Sequence, residues 1–514
     1  MKLAPNSIRW CLTMRCLLAS LTGILLAGCS AGPDYHRPSA VATMPATYAG
    51  ATNDWKIATP RAHLSKGSWW EIFGDSELNR LESQAVEANQ QLQAAIVRFA
   101  QARASADIAR SGLFPRIGAA FSATRQRDSA NRPLSNTGEA AGQSFTYDNF
   151  TMPFDLSYEL DLWGRVRRQV ESARANVQAD SADIEGVRLA IAAEIAADYF
   201  TLRALDMEKT SLVASIETYR QSLDLTRNRR SGGLISDLDV AQAETVLKVA
   251  EAQLPVIMLT RAKFEHALAT LTGQPASLFH LDEQLSHRDP PIIPAELPSS
   301  LLERRPDIAA AERRMASANA GIGVAKAAYF PTIRFNGLAG LQSIDAGTLF
   351  DWPSRVWAVG PSLSLPLFEG GQRKARLQAS KAYYEESIAR YRESVLKAFA
   401  EVEDNLAAQR LLANQYDQEF EALESARKLL EISNNRYRSG LVTYLQVATA
   451  QNAALERERV IARLRGQRFA AAVALVKSLG GGWQGFSQNQ AIGPDRDFLE
   501  KSQSSNPLPT EAKP

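Results

Sequence analysis

The sequence predicts a mixed α/β membrane protein built from an internal two-fold repeat, and three observations predict it. The stretch FTMPFDLSYELDLWG (150–164) alternates apolar and polar side chains from Phe150 to Leu162, the period of a strand with one dry face. Residues 165–230 hold no proline and one glycine, Gly186, with apolar side chains at steps of three and four, the period of a long helix. Residues 89–117 and 305–333 resemble one another, both Ala-rich and both closed by Phe-Pro, at Phe114-Pro115 and Phe330-Pro331.

The first residues are an export signal rather than fold. Lys2, Arg9 and Arg15 precede CLLASLTGILLAG (16–28), an apolar run of about 13 residues where a spanning helix needs ~20. The run ends in LLAGC, which resembles the lipobox of bacterial lipoproteins. That resemblance implies cleavage after residue 28 and a diacylglycerol and N-acyl lipid on Cys29. Cys11 and Cys16 then leave with the signal, so the mature chain has no disulfide to form. Ser30, where relatives retained at the inner membrane tend to carry Asp, favours the outer membrane.

The 514 residues carry a formal net charge of +2, which gives no electrostatic case for nucleic acid. The chain divides into the signal (1–28), an N-terminal arm (29–75), a first repeat (76–273), a connector (274–300), a second repeat (301–483) and a polar tail (484–514). Within the repeats, RSGGLISDLDVAQAE (230–244) lines up with RSGLVTYLQVATAQ (438–451), one glycine shorter. Each copy reads helix, strand, long segment, strand, long helix, turn, helix.

The long helices set the scale. About 66 residues at 1.5 Å each give on the order of 100 Å, and the second copy, roughly 372–439, is as long. Their apolar seam has a step near 3.5, which implies coiled-coil packing.

Each copy also has two strand candidates. In the first they run from Ile117 through the 120s and from Phe145 to Leu162; in the second, from Thr332 to Gln342 and from Val359 to Leu367. Asp155, Glu159 and Asp161 fall on one face, where water inside a barrel could receive them. Pro153 fits poorly in a closed ladder. Four strands cannot close a membrane barrel, since single-chain barrels begin at eight. An open edge in lipid costs several kcal/mol for each unpaired backbone group, so several chains must share one barrel.

LLERRPDIAAAERRMASANAGIGVAKAAYFP (301–331), WWEIFGDSELNRL (69–81), VLKAFAEVEDNL (395–406) and SLGGGW (478–483) resemble the outer-membrane channel lipoproteins of tripartite efflux pumps, the NodT-type branch of the TolC-like outer membrane factors. The resemblance implies a homotrimer with a shared 12-stranded outer-membrane β-barrel, continuous with a long periplasmic α-helical barrel. It implies an equatorial region made from the arm, the connector and the C-terminal segment. The implied function is a passive exit duct for small molecules such as drugs and toxic compounds. The implied partners are a periplasmic adaptor and an inner-membrane RND transporter.

The loops at Ser231, Gly232, Gly233 and at Ser439, Gly440 reverse the long helices, and so form the periplasmic tips. In relatives this region meets the adaptor and closes like an iris. Relatives place gate aspartates just after the second tip, where this chain has Gln446 and Thr449. The first tip instead offers Asp237 and Asp239, which three chains would concentrate into negative charge at the mouth. Leu445 supplies an apolar constriction. For Asp237 the plain alternative is a carboxylate favoured at a helix start.

No catalytic constellation is present. The five histidines have no metal-ligand spacing, and RRPD (304–307) reads as a helix cap with surface pairing. The chain is expected not to be an enzyme and to need no cofactor beyond its lipid. Two rival readings are a type I secretion channel, whose members usually lack a lipobox, and a periplasmic coiled-coil lipoprotein scaffold with its strands in a soluble sandwich.

Overall fold

A computed structural model describes residues 30–40, 68–131, 144–285, 288–291, 293 and 304–481. Cys29, the signal, the 132–143 loop and the polar tail lie outside the described residues. A 3-10 turn at Trp69–Phe73 leads into α1 (Ser76–Ala88) and α2 (Gln90–Ser111). Strands β1 (Arg116–Ala119), β2 (Ser122–Arg127) and β3 (Thr146–Leu160) precede the long helix α3 (Arg165–Ser231) and α4 (Asp237–Leu271). The second copy runs α5 (Pro306–Ala327), β4 (Thr332–Ser343), β5 (Arg355–Ser364), α6 (Gln372–Arg438) and α7 (Tyr444–Ser478).

All strands lie in one open antiparallel sheet, with β1 and β2 on one side of β3 and β4 then β5 on the other. β1 and β2 keep one register against β3: Ala119 faces Phe154 and Ser122 faces Thr151. They are a single strand with a gap at Ala120 and Phe121, so each chain supplies four strands, as expected. Pro153 makes the gap. The Ala120 amide donates to the Pro153 oxygen at 3.1 Å, but proline has no N–H to return the bond. On its other side Pro153 faces Gly340. A Cβ on Gly340 would come within 2.4 Å of the Met152 oxygen, so glycine permits this close approach.

The register sorts the sheet into two faces. Ile117, Leu156 and Val359 share one with Phe154 and Trp357, and with Leu160, Ile333 and Leu363. The opposite face is mainly polar, with Leu338 and Val356 as its large apolar side chains. There Ser122 bonds Thr151 at 2.7 Å, Gln342 donates to Asn149 at 3.1 Å and Asn336 to Ser362 at 2.8 Å. A sheet apolar on one side and hydrogen-bonded on the other suits lipid outside and water inside.

Three expectations need correction here. Asp161 is not on the strand: its carboxylate accepts the amides of Val166 at 3.0 Å and Arg167 at 2.8 Å, at the start of α3. Those amides have no partner inside the helix and need an acceptor. RRPD is not surface pairing, because Arg305 is buried, held by Asp307 at 2.7 Å and Glu401 at 2.6 Å. The last strand begins at Arg355, not Val359, and ends at Ser364.

α3 and α6 are each 67 residues long, ~100 Å at 1.5 Å per residue. Each is accompanied by two shorter helices stacked end to end. The Asn89 side chain, heading α2, donates to the Leu271 oxygen at the end of α4 at 2.8 Å. Arg305, heading α5, donates to the Ser478 oxygen at the end of α7 at 3.2 Å. Around this level lies one core, with Trp69, Trp70, Phe73, Leu78 and Leu81 against Ile195, Tyr199 and Phe200 of α3, Tyr391 and Val395 of α6, and Phe469 of α7. A second core, near the far end, gathers Leu212, Tyr219 and Leu223 with Leu247, Tyr437, Tyr444 and Val447. Among the described residues no helix is long and apolar enough to cross a membrane.

Candidate functional site

The two helix reversals are built alike. In the first, the Gly233 amide donates to the Arg230 oxygen at 3.0 Å and the Leu234 amide to Arg229 at 3.0 Å. In the second, Gly440 donates to Tyr437 and Leu441 to Arg436, both at 2.9 Å. These are the two bonds of a Schellman stop. Gly233 and Gly440 have φ of 72° and 74°, a left-handed conformation that glycine adopts at no steric cost. The second turn is not one glycine shorter. α3 to α6 and α4 to α7 share one offset of 207, from 165 to 372 and from 237 to 444, so Ser439 replaces Gly232 and no residue is deleted. Ser231 ends α3 with its hydroxyl on the Asn228 oxygen at 2.8 Å, and Ser439 does the same with Asn435 at 3.0 Å.

The gate residues fall into two groups. Asp237 opens α4 and is clasped by the Arg230 guanidinium at 2.6 and 2.9 Å, which lowers its pKa below the usual carboxylate range. Asp239 completes a capping box with Ser236. Its other oxygen accepts the Tyr444 amide at 3.2 Å, at the head of α7. Both carboxylates are thus occupied within the tip, and the charge of Asp237 is balanced by Arg230. Leu445, Gln446 and Thr449 are exposed on α7, with the Thr449 hydroxyl turned back to the Leu445 oxygen at 2.9 Å. Leu238 occupies the position in α4 that Leu445 has in α7, and both are exposed.

Sequence reasoning missed Arg229. Its guanidinium donates to the Tyr437 oxygen at 2.7 Å and the Arg438 oxygen at 2.8 Å, and lies 4.9 Å from the Tyr437 ring centre. It therefore ties the α3–α4 hairpin to the α6–α7 hairpin, beside the Asp239–Tyr444 bond. Beneath them Tyr444 is fully buried, edge-on to Tyr437 at 5.5 Å, with its hydroxyl on Gln451 at 3.0 Å. Burial pushes its pKa up to about 12. The available signal was the cation-rich last turn, RNRR (227–230) against RYR (436–438), which a helix dipole also explains.

Membrane end and tip end are joined by continuous α3 and α6. At the membrane end the Trp163 indole donates to the Pro331 oxygen at 2.8 Å and stacks on Phe330 at 4.7 Å, joining the two repeats. The arm passes here too: the Ala31 amide donates to the Trp163 oxygen at 2.9 Å. It then follows the helices through Asp34–Arg168 at 2.7 Å, Tyr35–Glu312 at 2.6 Å and Arg37–Tyr391 at 2.8 Å. No group of three or more metal-ligating side chains occurs among the described residues.

A family model described as outer membrane efflux protein matches residues 81–274 and 297–481. The chain is 33% identical over 479 residues to the probable efflux pump outer membrane protein TtgC of Pseudomonas putida, covering 92% of this chain and 96% of that protein. It superimposes on the outer-membrane channel OprN with a TM-score of 0.79 and 30% identity, over 89% of this chain and 100% of that one. For the CmeC outer membrane channel of Campylobacter jejuni the TM-score is 0.83 at 25% identity, over 92% and 98%. The chain belongs to the outer membrane efflux protein family and is an outer-membrane exit duct, with its long helices in the periplasm.

Proposed function

We propose that three copies of this chain share one 12-stranded barrel and one helical tunnel, and passively conduct small toxic molecules out of the cell. The observation that carries this reading is the four-stranded sheet, open at β1–β2 and at β5, with one face that is apolar along β3 from Phe150 to Leu160. Such edges cannot remain unpaired in lipid. Energy comes from an inner-membrane RND transporter, and a periplasmic adaptor meets the tips around Ser231, Gly232, Gly233, Ser439 and Gly440. The exposed Leu234, Leu238, Leu441 and Leu445 at the tips support such a contact.

The lipid on Cys29 belongs to the same reading. The arm brings Ser30 against Gly164, where a Cβ would lie 3.1 Å from the Ser30 Cα, at the junction of strand and helix. An acyl chain on the preceding residue would enter the adjoining leaflet.

Purified protein in detergent should sediment as a trimer and open single channels in planar bilayers. Deleting the gene should sensitise cells to members of a panel of drugs, dyes and other small toxic compounds. A monomer that opens no channels overturns the reading.

A further inference from the structure

The water face of the sheet carries an uneven charge near its periplasmic end. Three levels of side chains, each about 6.6 Å above the last, can be read from the register. The lowest holds Glu159 of β3 opposite Arg334 of β4. The next holds Arg116 of β1 opposite Ser157, with Asn336 and Gly360 alongside. The third holds Asp155 opposite Gly118.

Glu159 is already taken by Arg165, at 2.7 Å, while Arg334 stands off at 3.8 Å with its side chain 58% exposed. The Arg116 side chain is exposed and, among the described residues, has no hydrogen-bond or ion-pair partner; the same is true of the Asp155 side chain. The neighbouring carboxylates Asp161 and Glu369 are closed onto Arg167 and Arg373, at 3.4 and 2.8 Å. The two lower levels therefore set three arginines, Arg116, Arg165 and Arg334, against one glutamate. One acidic level, Asp155, lies above them.

We propose that Arg116 and Arg334 form a cationic collar inside the neck of the barrel, favouring small organic anions (carboxylates, sulfonates, phosphate esters) as cargo. The proposal rests on the trimeric duct reading. Twelve strands at ~4.8 Å spacing and ~40° tilt enclose roughly 24 Å between backbones. Side chains leave a path whose axis is within about 8–10 Å of each guanidinium, comparable to the Debye length at physiological salt. The collar's field thus reaches a permeating ion before screening removes it. An open, water-filled neck keeps these arginines hydrated, so the collar biases passage without trapping cargo.

The test is the reversal potential of full-length protein in planar bilayers under a tenfold KCl gradient. Arg116→Glu with Arg334→Glu lowers the chloride-to-potassium permeability ratio at least threefold, and Asp155→Asn raises it. Arg116→Gln with Arg334→Gln, which removes charge without reversing it, gives an intermediate drop and serves if the reversal variant does not assemble. The shifts shrink in molar salt, where screening falls to ~3 Å. Conducting variants whose ratios equal the wild type overturn the collar and leave the duct standing. A wild type that assembles but gives no conductance overturns the duct, and the collar with it.

Discussion

The side chain of Asn89 joins the two stacked helices of the first repeat: its Nδ2 donates to the Leu271 oxygen at 2.8 Å while its Oδ1 accepts the amides of Gln91 and Leu92 at 2.9 and 3.0 Å. One buried amide thus caps the start of α2 and the end of α4. Asn89→Ala loses an N-cap worth ~1 kcal/mol and leaves a buried carbonyl unpaired at ~1–3 kcal/mol. Thermal unfolding in detergent should show a loss of about 2–4 kcal/mol. Asn89→Asp keeps the cap but turns a carboxylate toward the Leu271 oxygen, and should lose a comparable amount at neutral pH.

Pro153 and Gly340 form a coupled pair in the sheet. Pro153→Val supplies the missing amide to the Ala120 oxygen and should close the gap between β1 and β2, raising stability by about 0.5–1.5 kcal/mol. Gly340→Ala drives a Cβ against the Met152 oxygen and the Pro153 Cα, at 2.4 and 2.7 Å, and should weaken barrel assembly. The heat required to convert trimer to monomer on gels reads both changes, which have opposite signs.

The parts of this fold that were legible in the sequence are those governed by local period. β3 was visible because alternation runs unbroken from Phe150 to its end at Leu160. α3 and α6 were visible because neither carries a proline, and the tips because two RSG segments reappear. What stayed hidden depends on contacts distant in sequence. Nothing near Asp239 announces that it caps Tyr444, 205 residues away. Nothing near Arg305 announces the Ser478 carbonyl or Glu401, so the residue read as a surface charge. Asp237 was read without Arg230, which lies seven residues back across the turn. Pro153 looked out of place until the register put it opposite Ala120.

Glu82 should make stability pH-dependent. The carboxyl is buried beside Trp70, Leu92 and Ile191, and burial raises its pKa from 4.5 to about 9. Between those values the folded chain holds a proton that the unfolded chain releases. This contribution to stability is therefore most favourable below pH 4.5 and declines by about 1.4 kcal/mol per pH unit through that window. It flattens above pH 9. Glu82→Gln keeps the shape and removes the titration, so melting temperatures should rise at pH 8 and depend less on pH from 5 to 9. Equal slopes for wild type and variant would show that Glu82 ionises in the fold.

Arg229 is the residue whose loss should open the tip. Its two bonds run to carbonyls of the neighbouring hairpin, and hydrogen bonds from a charged group contribute ~1.5–3 kcal/mol when well enclosed. Partial exposure reduces that, so Arg229→Ala should cost about 1–3 kcal/mol at the tip alone. The larger core, around Tyr199 and Phe200, lies far along α3, and global melting should hardly change. The hairpins are left with the Asp239–Tyr444 bond and, deeper along the helices, with the Tyr219–Gln451 and Ser222–Gln451 bonds at 3.0 and 3.2 Å. Single-channel conductance should rise, and cells should admit large antibiotics that the outer membrane normally excludes. Arg229→Lys keeps the charge but not the planar fork that spans two carbonyls, and should fall between. Combining Arg229→Ala with Asp239→Ala removes the two outermost ties and should exceed either single change. Unaltered conductance in the double variant, with melting intact, would place the closing contact elsewhere on the helices.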